Sequence, residues 1–229
     1  MSKNFLKRII TSLVLLFLLF FINFSHQYIF ITSILLIGLI IYLEAFSIFL
    51  KIISVQNLKK KTTVNLINFK FITLNIITFF YIFFIFCNFA YIIHKFLSPT
   101  FFLYIISICF FTDIGGYIFG KTFGGKKLSK ISPNKTIAGT IGSFIFSVIP
   151  LMIIINSNYL DLKLNLNNVA FSLLVSLISQ LGDLFVSYLK RKAKIKDAGK
   201  ILPGHGGVLD RLDGIIFAVP FSYFLLNFI

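Results

Sequence analysis

Seven apolar stretches, each close to bilayer length, constrain this chain more than any other feature. They lie near residues 9–25, 28–50, 71–93, 99–120, 136–156, 168–189 and 212–229. Crossing hydrocarbon takes roughly 20 mostly apolar residues in a helix, and a segment in lipid must satisfy its own backbone N–H and C=O groups. The chain is 58% hydrophobic and carries 31 Phe in 229 residues, too little polar surface for a water-soluble globule. The expected fold class is all-α: a polytopic transmembrane helix bundle of about seven spans. It forms a single integral-membrane domain over 1–229, with N-terminal spans in 1–95 and the functional core in 99–229. The first run follows Lys3, Lys7 and Arg8 as a signal peptide would, but "INFSHQ" at its end offers no small-residue cleavage site, so it reads as a retained anchor.

Charge placement gives the orientation. Lys and Arg collect in the short cytoplasmic loops of membrane proteins. With the N-terminus inside, every one of the 22 basic residues except Lys95 and Lys163 falls on the cytoplasmic side. The expected topology is therefore N-in/C-out, with loops 120–135 and 190–211 in the cytoplasm. The net charge of +15 is explained by this placement and suits anionic lipid; the partner is the lipid bilayer, and no nucleic acid is expected. Cys87 and Cys109 sit inside apolar runs and read as buried small apolar side chains. His26 and His94 stand at the outer ends of spans, where an interfacial role is expected.

Acids are scarce, only seven in all, and their positions carry the chemistry. An ionisable residue within a span costs on the order of 3 kcal/mol and marks function or a buried partner. Glu44, Asp113 and Asp183 are placed that way. In "SLLVSLISQLGDLFVSYLKR" polar residues recur at Ser172, Ser176, Ser179, Asp183, Ser187 and Lys190, steps of three or four that define one helix stripe. Serines on such a stripe also glue helices together in membranes; an aspartate two turns before Lys190 and Arg191 is not explained that way. Further on, "LDRLDG" sets Asp210 and Asp213 three apart, on one side of a starting helix. Acids also serve as dipole partners at helix starts. Two carboxylates, a third on a neighbouring span and cations between them are what a hard divalent ion with a polyphosphate needs. Mg2+ takes oxygen ligands and bridges carboxylates to substrate phosphates, which makes Asp183, Asp210 and Asp213 the candidate metal ligands, with Lys and Arg completing the neutralisation.

Two glycine-rich loops face the same side. "PGHGG" has small residues at Gly206 and Gly207 that allow consecutive amides to turn toward an anion. Its His205 is suited to donating to a phosphate, to shuttling a proton or to stabilising the turn. The second loop, "TDIGGYIFGKTFGGKKLSKISPNKTIAG", opens with Asp113 and offers Ser132, Lys135 and Thr136 as phosphate donors. Its Gly116, Gly120 and Gly124, spaced by four, suit close helix packing, which leaves room for a homodimer. Two phosphate-binding loops suggest two phosphorylated substrates.

The stretch "SYLKRKAKIKDAGKILPGHGGVLDRLD", residues 187–213, resembles the signature of the phosphatidate cytidylyltransferase (CDP-diacylglycerol synthase) family: Ser, any, aliphatic, Lys-Arg, four residues, Lys-Asp, the turn, His-Gly-Gly and Asp-Arg-x-Asp. "GDLFVS" and "SPNKT" fit the family pattern too, so the resemblance covers about residues 100–215; the N-terminal third shares only hydropathy and Glu44. Three positions depart from it. Ile137 and Ala138 replace a frequent Trp and Glu, and Gly214 stands where members carry Ser. The chain is short for the family, so one or two early spans of longer relatives are expected to be missing. The resemblance implies transfer of a cytidylyl group from CTP to phosphatidate, giving CDP-diacylglycerol and pyrophosphate for phospholipid biosynthesis. It implies Mg2+ at Asp183, Asp210 and Asp213, with a second cation such as K+ at the same acids. Catalytic roles would fall to these acids and to Lys190, Arg191, Arg211 and His205. Substrate contacts would come from Ser187, Lys196, Asp197, Gly206, Gly207, Ser132, Lys135, Thr136 and Asp113. The implied location is the bacterial inner (cytoplasmic) membrane, as a multi-pass protein with its active site facing the cytoplasm.

Two other readings compete. A CDP-alcohol phosphatidyltransferase, another Mg2+-dependent lipid-phosphate transferase, needs an Asp-Gly-x-x-Ala-Arg start and later aspartates at spacing four, whereas Asp210 and Asp213 are three apart. An ion-coupled transporter with Asp113 and Asp183 along its path would place such acids near the midplane, not beside basic loops.

Overall fold

The computed structural model describes residues 3–57, 64–128, 132, 135–157, 160 and 162–226. Ten α-helices are found among them, and no strand; only the isolated bridges Lys127 to Thr136 and Leu202 to Gly206 have extended pairing. In chain order they are α1 (Lys3–Phe24), α2 (Gln27–Asn57), α3 (Val64–Phe80), α4 (Asn88–Ile92), α5 (Pro99–Thr122), α6 (Ile137–Ser147), α7 (Ile149–Ser157), α8 (Leu166–Lys192), α9 (Leu209–Leu212) and α10 (Ile215–Leu225). Wider π-type turns at Tyr81–Cys87 and Ile93–Leu97 link α3 to α4 and end α4.

Five described helical stretches are long and apolar enough to cross a membrane: Gln27–Val55, Phe69–Leu97, Pro99–Thr122, Ile137–Ser157 and Leu166–Lys192. This is the middle five of the seven expected runs, and the chain is a multi-pass membrane protein. The two outer runs differ. Ile10–Phe24 is apolar but shorter, and α10 holds only 11 residues with Pro220 inside it.

Local chemistry sets the ends. Ser98 caps α5 by accepting from the Phe101 amide at 2.9 Å, with Pro99 at the first helical position. Asn165 caps α8 through the Asn168 amide at 2.8 Å. Pro150, which cannot donate an amide, accompanies the break between α6 and α7 at Val148.

The chain forms two compact units, the first of 1–91 with 188–212, the second of 92–187 with 213–229. In the first unit α2 packs on the segment after α3. Gly38 leaves space that Cys87 fills, since a Cβ there would lie 2.7 Å from its Sγ, and Tyr42 meets Phe79 and Phe83 edge-on or tilted at 5.7 and 6.4 Å. In the second unit Phe101, Tyr104 and Phe171 form an aromatic cluster with ring centroids about 6 Å apart. Both cysteines are buried and free, as expected. His94, expected at an interface, is instead buried beside Phe102.

The glycine pattern of residues 115–142 is a helix contact within the chain. A Cβ on Gly116 would lie 2.7 Å from Ser143 Oγ, one on Gly139 2.8 Å from the Gly116 carbonyl, and one on Gly142 2.7 Å from the Gly115 carbonyl. Thus α6 occupies the Gly116 and Gly120 face that had left room for a second copy. Gly124 is not part of this contact; it has φ +58° in the loop after α5, with nothing within 4 Å of a Cβ.

Candidate functional site

In the first unit the polar residues gather at the end of α8 and the turn that follows. Just past the end of α8, Lys194 has a left-handed φ of 55°. The Ile195 amide reaches back to the Lys190 carbonyl at 3.0 Å and the Lys194 amide to Arg191 at 3.1 Å, the paired bonds that close a helix C-terminus. A tight turn comes next: the Leu202 amide donates to Gly206 at 2.8 Å and the His205 amide to Leu202 at 3.0 Å, with Gly204 and Gly206 at φ +76° and +87°. Only glycine adopts such angles without strain.

Asp210 ties the turn together. Its Oδ1 accepts from Lys190 Nζ at 2.8 Å, and its Oδ2 accepts from the amides of Ala198 and Gly207 at 2.8 and 2.9 Å. The side chains of this ion pair are only 11% and 8% exposed, where the pairing counts for far more than at a wet surface. Glu44 of α2, itself buried, continues the pattern: its carboxylate accepts from the amides of Val208 at 3.2 Å and Leu209 at 2.8 Å. The consecutive amides of 207, 208 and 209 do turn toward an anion, as the glycines suggested. The anions are the protein's own carboxylates.

His205 and Arg211 are engaged as well. Thr11 Oγ1 lies 2.7 Å from His205 Nδ1 and Ser12 Oγ lies 3.3 Å from Nε2, so both ring nitrogens face hydroxyls of α1. Arg211 Nη2 donates to the His205 carbonyl at 2.9 Å. Gly206 packs under Asp197, as a Cβ there would lie 3.3 Å from that of Asp197. Arg191 and Lys196 are exposed, the disposition expected of cations that meet a charged ligand.

In the second unit the stripe on α8 is real and divides by function. Ser172 pairs with Tyr104 at 2.8 Å and Ser176 accepts from Thr112 at 2.9 Å, all buried; these serines join α8 to α5, as the helix-glue reading has it. Toward the end of the stripe Asp183 takes over. Its Oδ1 accepts from Ser187 at 3.2 Å and its Oδ2 is paired with Lys135. The backbone of Asp213 packs against the preceding residue of α8: a Cβ on Gly182 would lie 2.9 Å from the Asp213 carbonyl. The Asp213 Oδ1 accepts from the Gly214 amide at 3.0 Å. A Cβ at 214 would overlap Ser179, which explains why glycine stands here.

The remaining expected residues are placed less centrally. Thr136 accepts from the Gly139 amide at 3.1 Å and so caps α6. Ser132 presents its carbonyl to the Lys135 amide at 3.1 Å, and Asp113 is exposed on α5. Thr11 and Ser12 reach His205 from α1; their signal in the sequence is a hydroxyl pair amid an otherwise apolar run.

No group of three or more His, Cys, Asp or Glu forms a metal cage among the described residues. Mg2+ is ordinarily held by one or two carboxylates together with substrate phosphates, not by an all-protein cage. Asp183 and Asp213 are the hard oxygen donors of this kind in the second unit, where the Asp213 backbone packs on Gly182.

Comparison with known proteins reaches the same stretches. The cytidylyltransferase family pattern matches residues 43–229. The phosphatidate cytidylyltransferase of Staphylococcus haemolyticus (strain JCSC1435) is 43% identical over 129 residues, covering 55% of this chain and 48% of that protein. For the protein of the same name from Bacillus subtilis (strain 168) the figures are 41% over 133 residues, 56% and 47%, and for that of Staphylococcus aureus (strain N315) 44% over 129 residues, 55% and 48%. The chain spans about half the length of the curated relatives it matches. Helix α1, which holds His205, precedes the matched region.

Proposed function

Because this chain belongs to the cytidylyltransferase family, we propose that it transfers the cytidylyl group of CTP to phosphatidate, leaving CDP-diacylglycerol and pyrophosphate. The relatives named above carry that activity in their names. The observation that supports it most within the molecule is the Lys135 to Asp183 pair. It joins the "SPNKT" loop to the acid of α8, two stretches far apart in sequence that both carry phosphate-handling side chains.

The reaction follows from charge. A phosphate oxygen of phosphatidate forms a bond to the α-phosphorus of CTP, in line, while the bond to the bridging oxygen of the β-phosphate breaks and pyrophosphate departs. A phosphomonoester is largely dianionic near neutral pH, so its oxygen needs no strong general base. Positioning and electrostatics then dominate. The obstacle is mutual repulsion of two polyanions. Arg191, Lys196 and Lys135 supply positive charge to the incoming phosphates, Lys190 is held by Asp210, and Arg211 fixes the turn at His205. With both nitrogens facing α1, His205 serves the turn's shape in this reading and carries no proton in the reaction.

Mg2+ at Asp183 and Asp213 would neutralise phosphate charge and polarise the α-phosphorus. Asp210 belongs to the proposed ligand set on the sequence signature; its observed contacts are structural. A second cation such as K+ is part of the same proposal. So is the topology: seven spans, N-in/C-out, in the inner membrane of a bacterium, with the basic loops in the cytoplasm where CTP is found and the acyl chains of phosphatidate in the bilayer.

The deciding experiment incubates the purified protein in detergent with labelled CTP, phosphatidate and Mg2+. A labelled CDP-lipid with matching pyrophosphate is expected, lost on chelation. Labelled lipid formed equally from CDP-diacylglycerol and an alcohol, with none from CTP, would assign the other transferase class.

A further inference from the structure

Glu44 is a carboxylate inside an apolar helix, 5% exposed, on the same face as the buried Ile41, Ala45 and Ile48. The opposite face carries Leu36, Leu39, Leu43 and Leu50, all exposed as lipid-facing residues would be. Such a charge is costly in a span unless something meets it. Neither of the ion pairs given by the described residues, Lys135 to Asp183 and Lys190 to Asp210, involves it. What meets it is backbone: the amides of Val208 and Leu209.

The surroundings are shaped around this carboxylate. A Cβ on Gly207 would lie 2.5 Å from Glu44 Oε2, and one on Gly199 would overlap the carboxylate itself. Two glycines of the turn, eight positions apart, therefore leave the space that one side chain of α2 fills. Gly207 in the same run donates to Asp210, so Glu44 and Asp210 between them take three successive amides. Successive backbone N–H groups of this kind form an anion-binding concavity.

We propose that Glu44 is a positioning residue for residues 199–209: a fixed internal anion that holds the turn bearing His205 and, through Gly207 and Leu209, sets the backbone from which Asp210 projects. It touches no substrate. Its effect on the reaction rests on the cytidylyl-transfer reading; its effect on the turn does not. Glutamine at this position keeps the shape but replaces one acceptor oxygen with an NH2 that faces an N–H.

The test compares the full-length protein with Glu44→Gln and Glu44→Asp in detergent, by hydrogen–deuterium exchange of the peptide covering 204–212 and by steady-state kinetics. Hydrogen bonds to charged groups are strong enough that losing one should speed exchange at Val208 and Leu209 by about ten- to a hundredfold. Displacement of reacting groups by about 1 Å costs on the order of a hundredfold in rate, so kcat should fall by about that factor in Glu44→Gln, with KM for CTP little changed. Glu44→Asp, which keeps the charge and both acceptors, should recover part of both losses. Unchanged exchange and unchanged kcat in Glu44→Gln overturn the proposal, and so does a uniform rise in exchange across α2, α5 and α8, which would mark general destabilisation. If Glu44→Gln fails to accumulate, Gly199→Ala reads the same contact: faster exchange at 204–212 is expected, and wild-type exchange overturns it. A wild-type protein that makes no CDP-lipid would defeat the functional reading while the exchange data still decide the role of Glu44.

Discussion

The two glycine-rich stretches, 112–139 and 196–214, look alike in sequence and do different things. Between α5 and α6 the missing side chains let two helix backbones touch, with carbonyls of Gly115 and Gly116 sitting where Cβ atoms would be. In the turn, glycines supply left-handed backbone at Gly204 and Gly206 and leave room at Gly199 and Gly207 for the Glu44 carboxylate. The first is a packing device for apolar neighbours; the second makes space for charge. The lesson is that glycine content alone does not distinguish a phosphate loop from a helix seam. What distinguishes them is whether carboxylates and amides surround the gap.

Four substitutions sharpen or break this contrast. The largest effect is expected from Asp210→Asn. Breaking a buried pair with Lys190 costs about 3–5 kcal/mol locally, and the amides of Ala198 and Gly207 lose their charged acceptor. Turnover should vanish while the protein still inserts in the membrane, measured by CDP-lipid formation and by extraction with detergent but not alkali; wild-type activity would remove Asp210 from the site. Next is Gly142→Ala in the helix seam. Overpacking of this kind costs about 1–3 kcal/mol, because the new methyl would meet Phe119 and the Gly115 carbonyl. A lower melting temperature in detergent with KM for CTP unchanged is expected; a large KM change would show that the seam also shapes the substrate site. The smallest effect belongs to Lys121→Ala. Lys121 is exposed and lies 5.7 Å from the Tyr117 ring centroid, a contact worth about 0.5–1 kcal/mol at such a site. Activity should stay close to wild type, whereas Arg211→Ala, which frees the His205 carbonyl, should lose most of it. Equal losses would mean that total loop charge matters and the turn's geometry does not.

Much of this was readable in the chain. Hydropathy marked the five central spans, since bilayer length leaves little choice of structure. The steps of three and four placed Ser172 to Lys190 on one stripe of α8 because a helix has a fixed period. Glu44 stood out by its cost in lipid, though its partner was not evident. Other contacts are supplied by the fold alone. Thr136 caps α6, and the amides at Gly207, Val208 and Leu209 bind Asp210 and Glu44. His205, suited by its sequence context to a phosphate, a proton or the shape of the turn, faces Thr11 and Ser12, 194 and 193 residues away.

The sequence by itself determined that this is an α-helical, multi-pass membrane protein whose few acids and many cations bracket a glycine-rich polar stretch, because hydrophobic length, helical period and local motif are properties of neighbouring residues. Only the tertiary structure decided which anion each amide meets, which glycines serve helix contact and which serve charge, and that α1 and α2 hold the turn. Those choices depend on pairs such as Glu44 with Leu209 and Lys135 with Asp183, and a pairing between distant residues is fixed by packing and by the cost of leaving a buried polar group unmet, which no local pattern encodes.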